Sequence, residues 1–246
     1  MERRKTNRKR PLLWLIALML LLAAGLTVYL LDYYHASEAA MAELEQASTG
    51  VEILQEEDRI VFLPEEPAAG MIFYPGGKVA YEAYAPLLES CAENGILSVV
   101  LQMPGNLAVL DQNAADGIQD EYPQIKSWYL AGHSLGGTIA ALYLEDHADE
   151  YDGLILLASY STADLSGTDL KALSIYGSAD GVMNREKYEQ CRSMLPPSLK
   201  EVIIEGGCHA YFGSYGEQDG DGTPTISAEE QQRQTVQAII AFILSK

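Results

Sequence analysis

Gly132-His133-Ser134-Leu135-Gly136 sets a serine between two glycines, each two residues away, at the end of an apolar run that begins at Trp128. A helical pattern starts directly after it at Leu135. A strand that turns at once into a helix brings the chain before and after the turn almost into contact. Glycines at those two positions remove the side chains that would collide, and the strained turn lifts the serine hydroxyl above the sheet. The motif is common by chance; its strand and helix context is what points to Ser134 as a nucleophile.

A serine hydroxyl needs a base, and the base needs an orienting acid. Asp180 lies in Tyr176-Gly177-Ser178-Ala179-Asp180-Gly181, and His209 in Glu205-Gly206-Gly207-Cys208-His209-Ala210, each in a glycine-bearing turn just after a strand-like run. Asp180 has an alternative role as a cap for the helix that follows, although Asn184 is better placed for it. Asp164 is the reserve acid, six residues past its strand and without a tight turn. Of the other histidines, His35 is near the N-terminal segment, His147 ends a helix beside acids, and His133 is inside the serine turn, which leaves His209 as the base. Cys208 is a weaker candidate nucleophile because it lacks the sharp turn. Developing negative charge on a substrate oxygen calls for two backbone N–H groups. Leu135, after the serine, supplies one, and Gly77 in Pro75-Gly76-Gly77-Lys78 the other.

The elements that must carry these residues alternate along the chain. Two short strands over 51–54 and 60–63 form an antiparallel pair at a sheet edge. Strands follow over 70–74, 96–102, 128–131, 153–158, 172–176 and 201–204. Helices are expected over 81–94, 107–119 and 135–148, from about 184 to the Pro196-Pro197 stop, and from Ser227 to 244, where Ser227-Ala228-Glu229-Glu230 makes a capping box. The pattern predicts an α/β fold with a mostly parallel sheet and helices on both faces, in which functional groups collect at the carboxyl ends of strands.

The N-terminus reads differently. Six basic residues and one acid fill residues 1–10, and residues 11–31 carry no charge at all. At about 1.5 Å per residue such a helix spans a hydrocarbon core, and its length favours an uncleaved signal-anchor over a removed signal peptide. The basic excess keeps the amino terminus in the cytoplasm and places the rest outside, as a single-pass protein of the cell membrane. Residues 32–49 read as an Ala- and Glu-rich stalk, and 50–246 as one domain. Beyond residue 10 the chain holds 10 basic and 34 acidic residues, a net charge of about −24, which repels nucleic acid and anionic lipid headgroups. Cys91 and Cys191 read as buried helix residues, and the three cysteines show no metal-site spacing. Asp219 and Asp221 do not fit a calcium loop and suggest a structural turn.

These segments together resemble the α/β-hydrolase superfamily, and within it the lid-less, dienelactone-hydrolase-related α/β-hydrolase family 5. The resemblance is carried by Phe73-Tyr-Pro-Gly-Gly-Lys-Val79, Ala131-Gly-His-Ser-Leu-Gly-Gly137, Tyr176-Gly-Ser-Ala-Asp-Gly181, Gly206-Gly-Cys-His-Ala-Tyr-Phe-Gly213 and the stretch from Gly220 to Gln232. It implies hydrolysis through Ser134, Asp180 and His209 with no cofactor and no metal. The cysteine nucleophile of dienelactone hydrolases proper is absent, which argues against that substrate. About thirteen residues separate the strands ending at Ala158 and starting at Ala172, too few for a helical lid, so the site is expected to be open and bordered by Tyr160, Tyr211 and Phe212. The expectation is a membrane-anchored carboxylesterase for small acyl esters; the alternative is a non-catalytic binding module on the same fold.

Overall fold

A computed structural model describes residues 9–244. The basic tail expected over 1–10 therefore lies, up to residue 8, outside the described residues. The chain divides into two units, one ending at Tyr33 and one running from Tyr34. The first is helix α1 (Lys9–Leu31), in which Leu12–Leu31 is long and apolar enough to cross a membrane and buries none of its residues.

In the second unit the segment expected to be a stalk is folded onto the domain. Tyr34 forms a parallel bridge with Val79, receiving a hydrogen bond from Ala80 N–H and donating one to Lys78 O. Helix α2 (Glu38–Glu45) is capped by Ser37 and buries Ala40 and Leu44. The signal was compositional, Ala and Glu being equally suited to a free helix and to one with a narrow buried stripe, so the domain begins near Tyr34 rather than at 50.

Eight strands form one sheet in the order β1-β2-β4-β3-β5-β6-β7-β8. The strands β1 (Val51–Gln55) and β2 (Arg59–Pro64) are the expected antiparallel edge pair, and β2 is also antiparallel to β4 (Ile96–Leu101). From there every pairing is parallel, through β3 (Ala69–Tyr74), β5 (Trp128–His133), β6 (Gly153–Leu157), β7 (Lys171–Gly177) and β8 (Lys200–Ile204). The unbroken burial of β3, β4, β5 and β6 shows why their sequences are apolar runs without alternation. One face is covered by α2, by α3 (Ala85–Ala92) and by the C-terminal helix; the other chiefly by the helix that follows Ser134.

The helix expected over 107–119 does not form. Single turns at Pro104–Asn106 and Ala108–Leu110 and the short α4 (Ile118–Glu121) stand in its place. Gly105, Asn106 and Gly117 take positive φ, and Val109 and Leu110 face outward, so the apolar spacing that suggested a helix never lines one face. The irregular path is tied to the loop after β3, because Asn106 O accepts Lys78 N–H at 2.7 Å and Gln112 O accepts the Tyr74 hydroxyl at 2.7 Å. The remaining helices, α5 (Leu135–His147), α6 (Arg185–Cys191) and α7 (Ala228–Ile243), lie where the sequence places them. Asn184 caps α6, and Ser227 caps α7 by accepting Glu230 N–H.

Candidate active site

Ser134 joins β5 to α5 with φ 52° and ψ −122°, a backbone conformation costly for any side-chain-bearing residue. The flanking glycines show what allows it. A Cβ on Gly132 would lie 2.5 Å from Gly137 N, and one on Gly136 would lie 2.2 Å from Tyr74 O. The turn is closed further by Ser134 N–H, which donates to Leu157 O at 2.9 Å, and by the Ser159 hydroxyl, which donates to Ser134 O at 2.6 Å.

Asp180 leaves the end of β7 and His209 the end of β8, and the two meet. His209 Nδ1 donates to Asp180 Oδ2 at 2.9 Å, with both side chains essentially buried. The other carboxylate oxygen of Asp180 accepts Val182 N–H at 2.9 Å and Met183 N–H at 2.8 Å, so one aspartate both shapes its turn and holds the imidazole. His209 Nε2 is buried and has no hydrogen-bond partner among the described residues. Ser134, Leu135 and His209 line one open cavity of about 300 Å³ at the carboxyl ends of the strands. An imidazole with one nitrogen fixed on a carboxylate and the other unpartnered, on a cavity that a strained serine also lines, is the arrangement that activation of a hydroxyl requires. Asp164 is on the surface instead, where it accepts from Ser166 N–H and the Ser166 hydroxyl.

Gly77 and Leu135 are adjacent: a Cβ on Gly77 would lie 2.9 Å from Leu135 Cδ2. Leu135 opens α5, where backbone N–H groups have no intrahelical acceptor, and neither it nor Gly77 donates a backbone hydrogen bond among the described residues. Gly76, by contrast, spends its N–H on the Tyr84 hydroxyl at 2.9 Å.

The expected pocket residues divide. Tyr160 lines the Ser134 cavity, but Tyr211 and Phe212 do not. The turn Ala210–Phe212 after His209 swings Phe212 inward, fully buried, with its ring 5.7 Å from that of His133. Tyr211 borders a different cavity of about 170 Å³ beside Cys208 and Asp221. Thr138, Thr162, Val182, Met183 and Lys187 are among the residues that line the Ser134 cavity in their stead. Residues 158–170 contain no helix, so that segment supplies no helical lid. Cys208 is buried, and burial pushes its thiol up to about 12, which leaves it inert as a nucleophile.

Two residues hold the Asp180 and His209 turns: Asp221, which the sequence suggested only for a structural turn, and Gln231, which it did not credit. Asp221 accepts Gly181 N–H at 3.0 Å and Gly222 N–H at 2.8 Å on one oxygen, and Ala210 N–H at 2.8 Å on the other. Burial raises its pKa, but these donors and His209 N–H outweigh burial and hold the carboxyl below its ordinary value. Gln231, fully buried on α7, accepts Cys208 N–H at 2.9 Å and donates to Cys208 O at 2.8 Å. The signal for both was present only as the Gly- and Asp-rich stretch and the capped helix beyond it. Among the described residues no group of three or more His, Cys, Asp or Glu is placed to hold a metal ion.

The alpha/beta hydrolase family matches residues 70–233, two thirds of the chain, and the chain belongs to that family. It is thus a hydrolase of the α/β fold. Among solved structures it is similar to TT1662 from Thermus thermophilus, with a TM-score of 0.59 at 15% identity over 80% of this chain and 99% of that one. A monoacylglycerol lipase from Paleococcus ferrophilus gives a TM-score of 0.56 at 13% identity, covering 78% and 99%. Est1E from Butyrivibrio proteoclasticus gives 0.53 at 15%, covering 78% and 99%. At these identities the likeness is one of fold. No curated protein matches the chain by sequence.

Proposed function

We propose that this chain is a membrane-anchored, extracytoplasmic serine hydrolase that cleaves small carboxylic esters through Ser134, His209 and Asp180. The observation that supports it most is the buried His209–Asp180 pair, in which Nε2 is unpartnered and His209 lines the same cavity as the strained Ser134. His209 takes the Ser134 proton as Oγ attacks the ester carbonyl, and Asp180 stabilises the imidazolium. The oxyanion is held by Gly77 and Leu135 N–H. His209 then returns the proton to the departing alcohol, and water releases the acyl group by the same steps. No cofactor enters this chemistry. The open cavity with its apolar wall of Val182 and Met183 suits short or protruding acyl groups. The likeness to an esterase and a lipase structure is consistent with ester chemistry.

Anchoring rests on the apolar Leu12–Leu31 span, and orientation on the basic cluster of residues 3–10. Fluorophosphonate labelling tests the chemistry: label is expected on the native chain and absent from Ser134→Ala. Asp180→Asn and His209→Ala are each expected to lower kcat by about three to four orders of magnitude. Label retained in Ser134→Ala would refute the assignment. A chain that binds a partner but neither labels nor turns over short p-nitrophenyl esters is instead a binding module. Protease shaving of intact cells tests the orientation, and a protected domain refutes it.

A further inference from the structure

The residue before the nucleophile has no part in the chemistry just described, yet its side chain sits at the centre of the site. His133 is buried, with its ring 4.7 Å from that of His209. Its Nε2 lies 3.1 Å from His209 O, and its Nδ1 lies 2.8 Å from the Tyr84 hydroxyl. A carbonyl only accepts, so Nε2 carries a hydrogen. Burial, and then the proximity of His209, push the His133 pKa well below its ordinary value, more than the bond to His209 O raises it, so the ring is neutral and Nδ1 is an acceptor. The Tyr84 hydroxyl therefore donates to Nδ1 while accepting Gly76 N–H at 2.9 Å. Burial keeps that hydroxyl protonated. Only one assignment of hydrogens satisfies every member: Gly76 N–H to Tyr84, Tyr84 to His133, His133 to His209 O.

We propose that Tyr84 and His133 are positioning residues of the active site. Their hydrogen-bond chain fixes the Gly76-Gly77 turn and the His209 turn at set positions on either side of Ser134. The inference rests on the proposed roles of Ser134, His209 and Gly77. By consuming Gly76 N–H, the chain also leaves Gly77 as the donor that faces the substrate. A Cβ on Gly76 would lie 2.8 Å from His133 Nδ1 and 2.9 Å from the Tyr84 hydroxyl, so the turn rests directly on the pair. A fully satisfied buried network of this kind specifies one geometry, and a small displacement of a base or an oxyanion donor lowers rate far more than it lowers binding.

Tyr84→Phe in the full chain removes one oxygen and keeps the ring, which packs 4.8 Å from Phe73. It is expected to lower kcat for a short p-nitrophenyl ester by about 10- to 100-fold with KM within about threefold, and to slow fluorophosphonate labelling in parallel. Tyr143→Phe is the control. It removes a hydroxyl bonded to Asp116 Oδ1 at 2.8 Å on α5 and is expected to lower Tm with kcat within about twofold. His133→Asn, too short to bridge both partners, is expected to show the same split as Tyr84→Phe. The double variant is expected to be no slower than the worse single one, because the chain acts as a unit. A labelled native chain with Tyr84→Phe kcat no lower than that of Tyr143→Phe, or with additive losses in the double variant, overturns this inference alone. A native chain that takes no label overturns it together with the assignment of Ser134.

Discussion

The serine turn and the two turns that carry Asp180 and His209 all rest on glycines with no room for a Cβ, but the second pair also leans on polar side chains from distant segments. At Ser134 a Cβ on Gly132 or Gly136 would meet backbone, and one on Gly137 would meet the Ser159 side chain and Gly132 O. At Asp180 and His209 the backbones are held by polar side chains from elsewhere, Asp221 from the 213–223 loop and Gln231 from α7. Steric exclusion comes from Gly136 and Gly137 at Gly132, and from Tyr74 and Pro75 at Gly136, and it leaves neither position room for a side chain. Hydrogen bonds borrowed from distant segments can be removed one at a time, at graded cost. The largest test of that contrast is Gly136→Ala, whose Cβ would meet Tyr74 O and Pro75 O, neither of which is a flexible group. It is expected to give no folded protein, or folded protein with kcat reduced more than about a thousandfold, as read by circular dichroism and ester turnover.

Asp221→Ala is expected to cost less, about 10- to 100-fold in kcat, because it frees the Gly181 and Ala210 backbones without filling any space. Its pH dependence has a definite sign. The carboxyl pKa is depressed in the folded chain, so its stabilisation is complete above the ordinary value of 3.8 and is lost as pH falls through the lower folded value. The Tm deficit of Asp221→Ala relative to the native chain is thus expected to be constant near neutral pH and to shrink below about 3.8, in melts run down the pH scale. Gln231→Leu comes next. It leaves Cys208 N–H and C=O buried without partners, and is expected to lower stability by about 2–4 kcal/mol with only a few-fold loss in kcat. A Gln231→Leu chain as impaired as Gly136→Ala would erase the distinction between the two regions.

The same contrast explains what could be read from the amino-acid sequence. Ser134 was legible because its turn imposes glycines at fixed spacing. Asp180 and His209 were legible because each occupies a glycine-bearing turn at a strand end, and a hydrogen bond joins them. Asp221 and Gln231 act through space across 11 to 40 residues, and no local spacing rule marks such contacts. The missing helix over 107–119 is the converse case, where apolar spacing was present but Val109 and Leu110 face outward and Gly117 takes positive φ. In the segment before β1, Ala40 and Leu44 make too short a stripe to separate a docked helix from a stalk.

The aromatic pair after His209 sharpens the comparison at its smallest scale. Tyr211 and Phe212 are neighbours of the base in sequence, which made both of them expected walls of the substrate pocket. The turn Ala210–Phe212 sends them elsewhere, Phe212 onto His133 and Tyr211 to the Cys208 cavity. The apolar wall beside Ser134 comes instead from Val182 and Met183, directly after Asp180. Met183 is buried at that wall, and Asp180 fixes its backbone through the N–H at 2.8 Å. Met183→Ala is accordingly expected to lower kcat/KM for short esters by about tenfold, the scale of one or two methylenes lost from an apolar pocket. Tyr211→Ala, which changes a cavity other than the one Ser134 lines, is expected to leave kcat/KM within about twofold, as surface substitutions away from a site do. Steady-state kinetics on acetyl and butyryl p-nitrophenyl esters measures both. A loss in Tyr211→Ala equal to that in Met183→Ala would return Tyr211 to the substrate site and would require the two cavities to join when substrate is bound.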